Sequence, residues 1–109
     1  MEEISFDEFM KLDMRIGKVV QAERVEGSSN LVKLIVDFGS EKLQAVSGIA
    51  QQYKAEDLVG KKFMFILNLA RRKFMGIESQ CMIFAAEDGN GNLALMVPDK
   101  DIEAGSKVH

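Results

Sequence analysis

The chain has 109 residues and a formal net charge of -3, from 14 Lys plus Arg against 17 Asp plus Glu. This length suits one domain covering residues 1–109 and leaves no room for two independent cores. A hydrophobic fraction of 47% and a charged fraction of 28% are ordinary for a globular protein and argue against disorder. The apolar runs, such as 63–67, are far too short to span a bilayer, so no membrane partner is expected.

Two scarce residue types exclude several kinds of site. Cys81 is the only cysteine, which rules out an internal disulfide and a multi-thiolate metal site. His109 is the only histidine and ends the chain, so a zinc site or a histidine-based catalytic triad is not expected. The negative net charge also argues against a nucleic-acid partner, because phosphate binding needs positive charge.

The first predicted element is a short helix. Ser5 and Glu8 are spaced as a capping box, and Phe6, Phe9 and Met10 follow at helical spacing. These signals predict a helix over about 6–12. The acidic start of the chain is unlike a secretory signal and predicts a cytoplasmic protein.

Six further stretches have the composition of short strands. They are 14–25, 31–38, 42–47, 62–67, 80–86 and 93–97. Turns rich in Gly, Asn or Ser are predicted at 27–30, 39–40 and 88–92. The segment 48–58 is less regular, with one helical turn, and 70–79 is predicted to be a polar loop. The pattern indicates an all-β protein, either a small barrel or a sandwich.

Charge is distributed unevenly along the chain. Between Asp57 and Glu78 there are five bases and no acid, so this segment carries +5 and the remainder carries -8. One interpretation is a solvated loop that needs polar residues for solubility. The other is an anion-binding surface. Charge alone does not choose between them.

No arrangement of residues points to catalysis. Gly89 and Gly91 lack the third glycine and the following helix of a dinucleotide loop, so a hairpin turn is the better interpretation. Cys81 lies in an apolar run without a histidine to activate it and is predicted to be a buried hydrophobic residue. The carboxylate pairs fall in terminal or turn segments, where solvated surface is the default. No enzyme activity and no cofactor are expected.

The segment 68–82 is different, because it joins two predicted strands and combines charge with neutral hydrogen-bonding groups. Arg71 and Arg72 supply guanidinium groups that bind phosphate through two hydrogen bonds. Asn68, Ser79 and Gln80 supply uncharged groups suited to phosphate or ribose. Small five-stranded barrels bind nucleic acid across one face and the adjoining loops.

The sequence resembles the tRNA-binding domain found at the C-terminus of methionyl-tRNA synthetases and in free-standing dimeric tRNA-binding proteins. The similarity covers nearly the whole chain, through 4–9, 11–19, 31–39 and 46–49. Its most specific part comprises Asn68-Leu69, Arg72-Lys73, Gly76, Ser79 and Met82. The sequence departs from the family pattern at Ala70, Arg71 and Cys81, and in the turn before the second strand.

The resemblance implies a five-stranded Greek-key barrel of the oligonucleotide-binding (OB) type with a short N-terminal helix. It implies a non-catalytic module that recognises tRNA by shape and assists a methionyl-tRNA synthetase, with no DNA partner. It also implies a homodimer formed through the N-terminal segment and the stretch from Leu93. The residues carried over as RNA contacts are Asn68, Arg72, Lys73, Ser79 and Met82, with Lys33 as a weaker match. Arg71 is added from its charge. The competing hypothesis is an export-related or general protein-binding chaperone on the same barrel.

Overall fold

A computed structural model describes all of residues 1–109. Its elements are helix α1 (Phe6–Phe9), a 3-10 helix (Ala55–Asp57) and ten strands. The strands are β1 (Met14–Arg24), β2 (Val32–Asp37), β3 (Lys42–Ser47), β4 (Lys62–Ile66), β5 (Arg72–Phe74), β6 (Ile77–Ser79), β7 (Met82–Ile83), β8 (Ala85–Glu87), β9 (Leu93–Leu95) and β10 (Lys107–Val108). No helix is long and apolar enough to cross a membrane.

The main sheet is antiparallel and curls into a nearly closed barrel, which confirms the all-β barrel prediction. Its strand order is β3-β2-β1-β4-β7, and β10 pairs with β1 beside this path. A register shift between Val19 and Gln21 marks a bulge in the long strand β1, and such bulges let a strand bend around a barrel. Gly17 permits close packing there, because a Cβ at this position would lie 2.5 Å from Val36 Cγ1.

The barrel interior is filled by alternate residues of the strands. Val32, Leu34 and Val36 of β2 point inward and are fully buried, as the two-residue period of a strand with one buried face requires. Phe38 and Phe65 meet edge to face in this core, with ring centroids 5.4 Å apart. Leu58, which follows the 3-10 helix, is 1% exposed and closes one end of the barrel.

The predicted N-terminal cap is present, but the helix is shorter than expected. The Ser5 hydroxyl accepts a hydrogen bond from the Glu8 N–H at 3.1 Å. Helix α1 ends at Phe9 rather than at Leu12, and none of its residues is buried. Without packing against the barrel, local capping supports about one turn, because isolated short helices are marginal in water.

The predicted hairpin turn at 88–92 is confirmed. It joins β8 to β9, and one Asp88 carboxylate oxygen accepts hydrogen bonds from the N–H groups of Asn90 and Asn92. These bonds and one from the Asn92 side-chain amide lower the pKa of Asp88. This internal network stabilises the turn, as Asp side chains commonly do by bonding to the backbone a few residues on.

Two sequence predictions were wrong. The segment 70–79 is not an irregular loop, because it contains the hairpin β5–β6. The predicted strand 80–86 is divided at Phe84, whose N–H donates to Met64 while its carbonyl accepts from Met96. The chain passes there from the barrel into the hairpin β8–β9.

Candidate nucleic-acid interface

The basic segment forms the two-stranded hairpin β5–β6, which we call the basic hairpin (72–79). Arg72 pairs with Ser79, and Phe74 pairs with Ile77. At the tip, Met75 and Gly76 have φ angles of 52° and 80°. Positive φ at both central residues is the geometry of a type I′ turn, whose twist matches that of paired strands. The hairpin therefore presents its basic side chains from a regular, hydrogen-bonded support.

A shallow cleft of about 60 Å³ lies at the base of the basic hairpin. The Arg72 guanidinium carbon lies 4.9 Å from the centroid of the Phe74 ring, in cation–π contact. Arg72 and Phe74 share one face of β5 because side chains alternate along a strand. The cleft is lined by Val46, Leu69, Ala70, Arg72, Phe74, Ser79, Gln80, Cys81 and Met82. It thus offers an apolar floor beside a fixed positive charge, which suits a base and its phosphate.

The barrel is closed beneath this cleft by side chains rather than by a continuous backbone ladder. The Ser79 hydroxyl accepts from the Val46 N–H at 3.0 Å and donates to the Cys81 carbonyl at 2.9 Å. The Gln80 side-chain oxygen accepts from the Gln44 N–H at 2.9 Å. The Gln44 side chain donates in return to the Glu78 carbonyl at 2.8 Å. We call this set of contacts between β3 and 78–81 the side-chain seam.

Arg71 contributes to the same closure. Its guanidinium donates to the carbonyls of Leu67 and Gln80, so it joins the end of β4 to the residue after the hairpin. Cys81 lies beneath it and is buried, as predicted. Burial raises the pKa of the Cys81 thiol to about 12, against the opposing effect of the Arg71 charge. The thiol is therefore neutral near pH 7 and unsuited to nucleophilic attack.

The amide of Asn68 is used to hold the segment that leads into β1. Its side-chain oxygen accepts from the Asp13 N–H at 2.8 Å. Its side-chain nitrogen donates to the Lys11 carbonyl at 2.6 Å. Asn68 therefore connects the N-terminal segment to the chain just before the basic hairpin.

Lys33 lies outside the cleft, one strand away. It pairs with Val46 across β2 and β3, and its amine forms an ion pair with Glu23 at 3.0 Å. The Lys33 side chain is 31% exposed and the Glu23 side chain 66%, so solvent screens this pair. Its contribution to the free energy of unfolding is therefore small.

Comparison with known proteins identifies the family. Residues 14–107 match the family described as "Putative tRNA binding domain". The chain belongs to the tRNA-binding domain family. The residues matched include the basic hairpin, the side-chain seam and the whole barrel.

Relatives of this tRNA-binding domain include much longer proteins. The Methionine--tRNA ligase of Methanocaldococcus jannaschii is 54% identical over 108 residues, which are 99% of this chain and 17% of that protein. The Methionine--tRNA ligase of Archaeoglobus fulgidus is 50% identical over 107 residues, which are 98% of this chain and 16% of that protein. The chain therefore spans about one sixth of the length of these relatives.

Two solved structures match over the full chain. A MetRS related protein from Pyrococcus horikoshii has a TM-score of 0.95 and 43% identity, covering 100% of both chains. The chaperone CsaA from Bacillus anthracis str. Ames has a TM-score of 0.90 and 27% identity, covering 99% of this chain and 100% of that one. The barrel is thus shared by a MetRS related protein and a chaperone.

The structure separates the seven predicted site residues of this tRNA-binding domain into groups. Arg72, Ser79 and Met82 come together in one cleft, and Lys73 lies on the exposed outer side of the basic hairpin. Arg71, Asn68 and Lys33 do not line the cleft, although Arg71 lies between two residues that do, Ala70 and Arg72. Polar atoms of Asn68 and Ser79 are engaged in intramolecular hydrogen bonds. Their contact with RNA stays a prediction.

Sequence reasoning missed the contribution of Phe74 and the structural use of Gln80. Arg72 and Phe74 are two residues apart, which is the spacing of side chains on one face of a strand. A prediction of a loop over this segment makes no use of that spacing. Nothing in the sequence indicated that the Gln80 side chain pairs with Gln44, which lies in a distant strand.

Replacing Ser79 tests whether its hydroxyl is structural. We expect Ser79→Ala to lower the free energy of unfolding by about 1 kcal/mol, because the Val46 N–H loses a partly buried partner. Urea unfolding measures this change, and Ser40→Ala, at an exposed turn, is the control. A Ser79→Ala protein of unchanged stability that binds tRNA weakly would instead identify the hydroxyl as a direct RNA contact.

Proposed function

We propose that residues 1–109 form one non-catalytic domain that binds tRNA by its shape and raises the tRNA affinity of a methionyl-tRNA synthetase. The observation that carries the proposal is the exposed pair Arg72 and Lys73 on a regular hairpin, beside an apolar cleft, in a chain of net charge -3. The strand order supports an oligonucleotide-binding-type barrel. Both features lie within the region that matches the family.

The chemistry of the site suits folded RNA. Lys33, Arg71, Arg72 and Lys73 would neutralise phosphates, and Met82, which is 44% exposed, would contact a base or ribose. Folded RNA is recognised mainly through shape, 2′-hydroxyls and phosphates, since side chains cannot read its deep, narrow major groove. We propose that the main role of Asn68 and Ser79 is to hold the site in place, because their polar groups already have partners within the protein.

A supporting role for a synthetase follows from the relatives. The matched ligases carry this domain as a small part of a longer chain. A module that holds tRNA raises its effective concentration near an active site supplied elsewhere. This domain would not aminoacylate tRNA by itself, and a tRNA partner implies a cytoplasmic location.

The hairpin charges provide the direct test. We expect Arg72→Gln combined with Lys73→Gln to weaken tRNA binding roughly tenfold at about 0.1 M salt and to flatten the dependence of log K on log salt by about 1.4–1.8, from two lost phosphate contacts. Arg71 is left intact because it bonds to two backbone carbonyls. Filter retention over a salt series measures both quantities.

The matched control for this experiment is Lys42→Gln combined with Lys54→Gln. Both lysines are exposed and lie outside the cleft and the basic hairpin, and the change in net charge is the same. Equal losses in the two double variants would mean that only overall charge matters, which would contradict binding at the hairpin.

A protein-binding chaperone is the second candidate, because a CsaA chaperone shares the barrel at 27% identity and the cleft has an apolar floor. We expect a fluorescent apolar peptide to bind weakly and to be displaced by tRNA, since both ligands would need the same cleft. Fluorescence anisotropy with and without saturating tRNA measures this. Tight peptide binding that tRNA leaves unchanged, together with weak tRNA binding, would favour the chaperone.

We also propose that the chain forms a homodimer through its N-terminal segment. Ile4, Phe6 and Met10 are 65%, 70% and 48% exposed, and no residue of helix α1 is fully buried, although Phe9 is partly so. Apolar side chains gathered on one exposed face are typical of a protein–protein contact.

Phe6→Glu tests the dimer without disturbing the barrel. We expect the wild-type chain to sediment as a dimer at micromolar concentration and the variant as a monomer, because a carboxylate would be buried at the contact. Val59→Glu, at another exposed apolar position (46% exposed), serves as the control and should remain dimeric. A wild-type chain that sediments as a monomer would refute the proposal.

A further inference from the structure

A second basic surface lies away from the basic hairpin. A groove of about 620 Å³ runs between the β1–β4 pair and the segment 97–101. Four lysines and two aspartates border it, and we call it the lysine groove: Lys18, Lys61, Lys62, Lys100, Asp99 and Asp101. It shares no residue with the cleft at the basic hairpin.

The lysines are placed by the sheet itself. Lys18 of β1 and Lys62 of β4 face each other in the antiparallel register, and like charges in this position are destabilising. The backbone of Lys61 is held next to them, because its carbonyl accepts from the Val19 N–H at 3.0 Å. Lys18 also lies opposite Asp37 of β2, and this opposite charge offsets part of the repulsion. The positive charges of Lys18, Lys61 and Lys62 are therefore held together on a rigid support.

Only one of these lysines is neutralised. Lys62 forms an ion pair with Asp101 at 2.9 Å and donates to the Ile102 carbonyl at 2.6 Å. The hydrogen bond and charge of Lys62 lower the pKa of Asp101, so this acid stays ionised. Lys18, Lys61 and Lys100 take part in none of the three ion pairs of the chain. With Asp99 as the remaining acid, the groove keeps a local charge of +2 in a chain of net charge -3.

The groove is distant from the basic hairpin along β1. Lys18 precedes Arg24 by six residues, and Arg24 borders the same hollow as Met75 at the hairpin tip. At the rise of an extended strand, six residues span about 20 Å. One phosphate cannot contact both surfaces, but the backbone of a folded RNA can reach from one to the other.

We propose that the lysine groove binds a second stretch of the phosphate backbone of the tRNA that the basic hairpin holds. This inference rests on the proposed function. The groove is mostly polar and lacks the buried apolar anchors that a protein partner would need. Lysine acts as a point charge that attracts phosphate without reading base identity, which agrees with recognition by shape.

Lys18→Gln combined with Lys61→Gln tests the groove, with Lys62 kept because it holds the segment around Asp101. We expect roughly tenfold weaker tRNA binding at about 0.1 M salt and a salt dependence flatter by about 1.4–1.8 than that of the wild-type chain. Thermal unfolding establishes that the variant is folded. The control is again Lys42→Gln with Lys54→Gln, which makes the same change in net charge at other exposed sites.

The outcomes separate this inference from the proposed function. If the groove variant binds like the wild-type chain while the hairpin variant binds weakly, the groove is refuted and tRNA binding at the hairpin stands. If neither variant loses affinity, both proposals fail. A groove variant that loses no more affinity than the Lys42 and Lys54 control also refutes the groove, because the effect is then one of overall charge.

Discussion

Two N–H groups of β3, at Gln44 and Val46, donate their hydrogen bonds to side-chain oxygens, and the position of the basic hairpin depends on this arrangement. A strand edge with unpaired N–H groups would be exposed at the gap in the barrel. The Ser79 hydroxyl and the Gln80 amide fill that gap instead. Because Ser79 is the last residue of the hairpin and Gln80 follows it, closing the barrel also fixes the position of the hairpin that carries Arg72 and Lys73.

The same few residues close the barrel and lie at the proposed RNA-binding site. The sequence resemblance predicts that Ser79 contacts RNA, yet its hydroxyl is used within the protein. The positive charge beside it comes from Arg72, which is held against Phe74. In this structure Ser79, Gln80 and Arg71 shape the support, and Arg72 and Lys73 are left exposed. Loss of binding after replacement of a neutral residue is therefore insufficient evidence of contact with the ligand.

The sequence predicted the barrel well because β-branched, alternating strands such as β2 give a strong local signal. The hairpin was missed because Met75-Gly76 is a weaker turn signal than Asn-Gly, and because charge concealed the alternation of Arg72 and Phe74. For the candidate site, the sequence located the segment 68–82 but did not indicate the direction of each side chain. An amide such as Asn68 can donate to RNA or to a carbonyl within the protein, and only the fold decides between these uses. The lysine groove was hidden for a related reason, since Lys18, Lys61 and Lys100 are far apart in the chain.

The two hydrogen bonds of Asn68 have a geometric consequence for any assembly of this chain. They attach the segment 11–13 to Asn68, which lies two residues after the end of β4. The N-terminal segment and the base of the hairpin therefore belong to one rigid unit. If two chains meet through their N-terminal faces, as proposed above, the contact between them would also fix the spacing and relative orientation of their two hairpins. Such a pair would hold its two hairpins at a fixed distance, and it would bind only ligands whose dimensions match that distance.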